Sequence, residues 1–214
     1  MMNGRQEIWI DFGLSGLTKW FHGPLSMEMS ERDLVAAAAD WGDGSYAPTL
    51  LEDVLRLLES PLSTEAIDML WCAATGRSYA PDRWETGGRD WLREVARVCV
   101  ERIRQDDPAF EPGQPGPVPN GLGEDVLSEI RSVRAALEAA TIRDGIRDVV
   151  PTLEQVVTQV DPDLGFRLFL RVMKAYRVPI GETQHDRYHE LGETFGYNEF
   201  VVDDGDLYVG PGME

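Results

Sequence analysis

Apolar residues recur along most of this chain at the three- and four-residue spacing of a helix buried on one side. Leu34 to Trp41 follows Ser30 and Asp33, whose spacing is that of a capping box. Thr49 and Glu52 repeat the spacing ahead of a face made of Leu50, Leu51, Val54, Leu55 and Leu58. Ser63 heads a segment carrying Ile67, Leu70, Trp71 and Ala74 and stopped by Gly76. Trp91, Leu92, Val95, Val98, Cys99 and Ile103 define the inner face of a helix over 88–104, with Arg and Glu opposite. Further on, Val126, Ile130, Val133 and Leu137 predict one helix over 124–140, and Pro151-Thr152 opens another. Asp161-Pro162 starts a third, because proline suits the first helical turn. It carries Leu164, Phe166, Leu168, Phe169, Val172 and Met173, and Pro179 closes it. Thr183 and Asp186 form a last capping box before Tyr188, Leu191 and Phe195.

Strand signals are confined to the ends. Glu7 to Phe12 alternates and predicts a short strand. Asp204-Gly205, between the apolar runs 200–202 and 207–209, predicts a hairpin or an irregular tail. The expected fold class is therefore all-α, mainly helical, with a short N-terminal strand and a C-terminal hairpin. Pro108 to Gly123 is too rich in Pro and Gly for a helix or central strand. It predicts a linker over 108–123 between a Trp-rich helical lobe at 1–107 and a second helical lobe at 124–214; the alternative is a long loop within one domain.

Charge changes this picture more than composition does. Lys and Arg number 20 against 38 Asp and Glu, a net charge of −18. The excess is shared evenly by the stretches before and after Asn120, so it is not a detachable tail. Such a field repels nucleic acid and anionic membranes and speeds association with basic partners. Solubility alone would also account for it. Two cysteines, Cys72 and Cys99, sit in apolar helical stretches and make no disulfide framework, which fits a reducing cytoplasm. The N-terminus lacks the apolar core of a signal peptide, and no run approaches the ~18 apolar residues that span a bilayer.

Chemical motifs are sparse. No Gly-x-Ser-x-Gly and no phosphate-binding glycine loop occurs, and the many acids make chance pairs such as Asp40 and Asp43 unremarkable as catalysts. Asp203, Asp204 and Asp206 lack the glycine and ligand spacing of a calcium loop. His185 and His189 lie one helical turn apart, with Glu193 one turn further, a face that could ligate zinc in a metal-dependent enzyme. The metalloprotease motif is not completed there, and a solvated helix face is the simpler expectation; no cofactor is expected. Six tryptophans all precede the linker. Trp71 and Trp91 fit helical cores. Trp20, Trp41 and Trp84 stand in turn-rich, acidic surroundings with Asp40, Asp43 and Glu85, a composition suited to a protein-binding surface or to the edges of a core.

The stretch Leu55-Arg56-Leu57-Leu58-Glu59-Ser60-Pro61-Leu62-Ser63, with Leu70-Trp71 and the Trp91-Leu92 helix, resembles the immunity proteins of bacterial contact-dependent inhibition and polymorphic-toxin systems. The resemblance covers less than half of the chain and carries over no functional residue. It implies a small, cytoplasmic, cofactor-free protein that occludes the active site of a cognate toxin. A nuclease toxin would offer a basic groove to match the acidity. A nucleic-acid mimic, such as an anti-restriction or anti-CRISPR protein, is the alternative binder and requires carboxylates in rows at phosphate-like spacing.

Overall fold

The computed structural model describes residues 11–22, 28–76, 87–116 and 121–210. The strand expected over 7–12 falls almost wholly outside them, as do Trp84 and Glu85. Contacts divide the chain into two compact units, Phe12–Val118 and Pro119–Glu214, the second taking in Asp11. The fold is mainly α: the described residues form eleven helices and one two-stranded parallel sheet.

The first unit holds α1 (Gly13–Trp20), α2 (Glu31–Asp40), α3 (Ala47–Glu59), α4 (Thr64–Ala74) and α5 (Gly88–Asp106). Ser30 and Ser63 cap α2 and α4 by accepting from the N–H groups of Asp33 and Ala66. Helix α3 starts at Ala47, earlier than Thr49, because Pro48 suits a first turn; the Thr49 hydroxyl bonds back to the Tyr46 carbonyl at 3.0 Å. Helix α1 has no cap of its own. The buried Asp53 carboxylate of α3 accepts from the Leu14 N–H at 2.8 Å and supplies one. Phe21, Trp71 and Trp91 meet edge to face, with centroids 5.2–6.0 Å apart, at the centre of this unit. Residues 110–116, which carry no regular element, are mostly exposed.

The second unit holds α6 (Gly123–Ser132), α7 (Arg134–Arg143), α8 (Val149–Gln159), α9 (Pro162–Tyr176), β1 (Pro179–Ile180), α10 (Glu182–Phe195), α11 (Glu199–Val202) and β2 (Tyr208–Val209). The single helix expected over 124–140 is broken at Val133, whose φ of −104° and ψ of 5° interrupt the ladder while its side chain stays in the core. Helix α9 is buried from Pro162 to Lys174. Gly165 lets α8 approach it: a Cβ there would lie 3.2 Å from the Val157 Cα and N. Arg177, in the left-handed region at φ 47°, ends α9 ahead of Pro179. Helix α10 begins at Glu182 with Gly181 as N-cap and no side-chain cap, so Thr183 is already inside its first turn.

The C-terminal hairpin is not formed. Residues 199–202 are helical, and β2 pairs in parallel with β1, Pro179 against Tyr208 and Ile180 against Val209. Asp204-Gly205 does turn the chain, but it turns it from α11 toward β1 rather than back on itself.

Candidate functional site

Two places gather chemistry. The first is in the N-terminal unit, where α2 ends. Gly42, Asp43 and Gly44 all take positive φ, 61°, 55° and 81°. Glycine tolerates that region freely and aspartate better than most residues. Backbone bonds close the turn, Gly44 N–H to the Asp40 carbonyl at 3.1 Å and Ala47 N–H to the Gly44 carbonyl at 3.2 Å. The Arg102 guanidinium of α5 lies against Gly44, where any Cβ would overlap it. It bonds the Asp40 carboxylate at 2.5 Å and that of Asp106 at 2.6 Å.

This fixed turn presents Trp41, 52% exposed and the most exposed tryptophan described. Trp20 packs edge-on against it with centroids 5.6 Å apart. Asp40 and Asp43 are exposed beside it. The structure thus brings together four of the residues that the sequence singled out. Next to Asp40, α2 and α5 border an open groove of about 550 Å³ lined by Asp33, Ala37, Glu101 and Arg102. Asp33 was anticipated only as a capping residue and Glu101 not at all; both lie on polar helix faces that periodicity reads as solvated.

The second place is on α10. His185 and His189 do share a face, but it is half-buried rather than solvated. Their Nε2 atoms are 3.3 Å apart and their rings meet at 66°. The carboxylate that joins them is Asp203, with Oδ2 3.0 Å from His185 Nε2. Glu193 is exposed and takes no part in the cluster that could hold a metal. The hairpin expectation hid this, because only the turn after α11 brings position 203 against α10. Asp203 Oδ1 accepts from the N–H groups of Gly205 at 2.8 Å and Leu207 at 3.3 Å, which aims Oδ2 at the histidines. Burial and the neighbouring His185 hold the His189 pKa below the ordinary imidazole value. Burial alone would raise the Asp203 pKa, but the bonds from His185, Gly205 and Leu207 bring it below the usual carboxylate range.

A polar column inside the second unit supports this turn. Asp163, Arg167, Arg171 and Lys174 follow one another at near-helical spacing along α9, each at most 5% exposed. Asp163 bonds Arg167 at 3.1 Å and also receives the Tyr197 hydroxyl. Lys174 Nζ reaches the Val201 carbonyl at 3.3 Å and Asp204 Oδ1 at 3.0 Å, gripping the segment on either side of Asp203. Desolvation lowers its pKa, and Asp11 and Asp204 oppose that shift.

Comparison of the chain with protein-family models, with curated proteins and with solved structures finds no match.

Proposed function

We propose that this chain is an acidic binding protein that inhibits a basic protein partner, an immunity protein against a cognate toxin, and that Trp41 is its anchor. The observation that carries the reading is the half-exposed Trp41, held by Trp20 on a backbone-locked turn between Asp40 and Asp43. A large aromatic presented on a preorganised turn contributes apolar contact at little entropic cost, and flanking carboxylates select a basic counterpart.

Burial leaves the acidity at the surface. Among the described residues after 120, the buried acids Glu129, Asp161 and Asp163 are balanced by the buried Arg167, Arg171 and Lys174. No described helix is long and apolar enough to cross a membrane. The same field disfavours direct nucleic-acid binding. The binder reading is preferred over nucleic-acid mimicry because carboxylates on α5 alternate with cations. Glu94 and Glu101 pair with Arg97 and Arg32, and Asp106 pairs with Arg102, so this face is no uninterrupted anionic row.

The test uses the full chain and the domain of any secreted toxin whose gene proves to neighbour its own. Titration calorimetry should give a stoichiometric complex that weakens as salt rises. Trp41→Ala should weaken it by roughly 30-fold or more, the range of an interface hot spot. An affinity indifferent to both salt and Trp41→Ala would overturn the reading.

A further inference from the structure

We propose that His185, His189 and Asp203 form a binding site for a divalent first-row transition ion, Zn2+ being the ion whose geometry they match. His185 Nε2 lies 3.0 Å from the acceptor Asp203 Oδ2 and 3.3 Å from His189 Nε2, which donates or accepts according to its tautomer. An imidazole nitrogen carries either one proton or one lone pair. Protonated, it has one hydrogen for two neighbours; deprotonated, its lone pair faces the carboxylate. Hydrogen bonding therefore serves three converging donor atoms incompletely, whereas one cation takes up a lone pair from each.

Two of the three separations suit that cation. Four ligands in a tetrahedron with bonds of about 2.05 Å stand roughly 3.3 Å from one another. The His–His separation has that value, the His–Asp separation is slightly shorter, and all three donor atoms lie within 4.8 Å of each other. Two imidazoles and one carboxylate are a donor set suited to Zn2+ and its neighbours rather than to Ca2+ or Mg2+, which prefer oxygen throughout. The carboxylate is oriented in advance: Gly205 and Leu207 hold its Oδ1, and Lys174 clamps Val201 and Asp204 on either side. A turn bonded in this way leaves one carboxylate oxygen that its own backbone does not use, and that oxygen meets the half-buried His185. With three protein ligands the fourth position is open to water or to a side chain from a partner.

Metal binding at this site does not depend on whether the chain inhibits a toxin. The full chain is equilibrated with Zn2+ alone, gel-filtered and assayed for metal, and its affinity is measured against a chromophoric chelator. One Zn2+ per chain is expected. His189→Ala and Asp203→Asn should each weaken binding by at least about 100-fold, beyond what an outer-sphere change brings. Asn at 203 keeps the Oδ1 acceptor for Gly205 and Leu207, so the turn survives while the anionic ligand is lost. Glu193→Gln should bind like the unaltered chain. Co2+ should give the intense visible bands of a low-coordinate site, a readout that needs no variant. Background metal content, or equal affinity in His185→Ala/His189→Ala and the unaltered chain, overturns the proposal. So does a Co2+ spectrum like that of the aqua ion.

Discussion

Replacing Gly165 with Ala sets two opposing effects against each other, and the structure decides between them. In a helix interior Ala is favoured over Gly by about 1 kcal/mol, so helix α9 taken alone should gain. The new methyl, however, would stand 2.5 Å from Val157 Cγ2 and 3.2 Å from the Val157 Cα and N. A side-chain methyl can turn away, but two of these three atoms are backbone, so relief requires α8 to move as a body. Overpacking of this kind costs about 1–3 kcal/mol, more when the neighbour cannot rotate aside. The gain offsets only part of that. Gly165→Ala should destabilise the chain by about 1–2 kcal/mol. With a urea m-value of about 1–3 kcal/mol per molar, the midpoint should fall by roughly 0.3–2 M. Urea melts followed by far-ultraviolet circular dichroism measure it. Adding Val157→Ala removes the Cγ2 overlap and leaves the backbone contacts, so the pair should be less harmful than the sum of the singles. A Gly165→Ala chain as stable as the parent would mean that the α8–α9 approach is not tight, and the reasoning would fail.

Arg167→Met should cost about 3–5 kcal/mol, because it removes a guanidinium that pairs with the buried Asp163 carboxylate, and Asp163→Asn/Arg167→Met should recover much of the loss in the same melts. Above pH 9 the contribution of Cys99 to stability should fall. Burial pushes the Cys99 thiol up to about 12 from 9.0, so between those values the unfolded chain releases a proton that the folded one keeps, a slope of about 1.4 kcal/mol per pH unit for one group. Cys99→Ala should flatten this part of the profile. Lys174 acts oppositely: its lowered pKa makes stability rise with pH just below its ordinary value, so an identical alkaline profile in the Cys99→Ala chain would contradict the Cys99 assignment.

Helix content was legible because the apolar faces are strongly periodic: Leu50, Leu51 and Val54 on α3, or Trp91, Val95 and Val98 on α5, are buried as their spacing requires, although the buried face of α3 continues to Leu57 and leaves Leu55 and Leu58 half-buried. Boundaries were less so. Val133 belongs to its helix's apolar stripe, and nothing in that stripe says that the backbone bends there. The C-terminal error has a clear cause. Asp204-Gly205 between apolar runs is a local signal for a hairpin, but the runs are satisfied separately: Val201 and Val202 are buried from α11, and Tyr208 and Val209 pair with β1. A tertiary pairing across nearly thirty residues overrode a two-residue preference. The histidine face was visible at its i and i+4 spacing, whereas the third ligand was not, because Glu193 satisfies the helical period and Asp203 only the three-dimensional turn. The buried ionic column of α9 left a trace that went unused: Asp163, Arg167 and Arg171 stand four apart within an otherwise apolar helix.

The two rungs joining β1 to β2, with the Gly210 N–H on the Ile180 carbonyl at 3.0 Å, act as a clasp around everything between them. His185, His189 and Asp203 all fall inside that clasped stretch, and β2 itself is exposed. Unfastening the clasp would loosen the turn that aims Asp203 at the imidazoles, leaving Lys174 as its remaining hold, without dismantling α8 and α9. Fastening and metal capture therefore share a single equilibrium. By reciprocity, whatever steadies the last strand tightens the grip on the ion, and the ion in turn slows hydrogen exchange at Gly210.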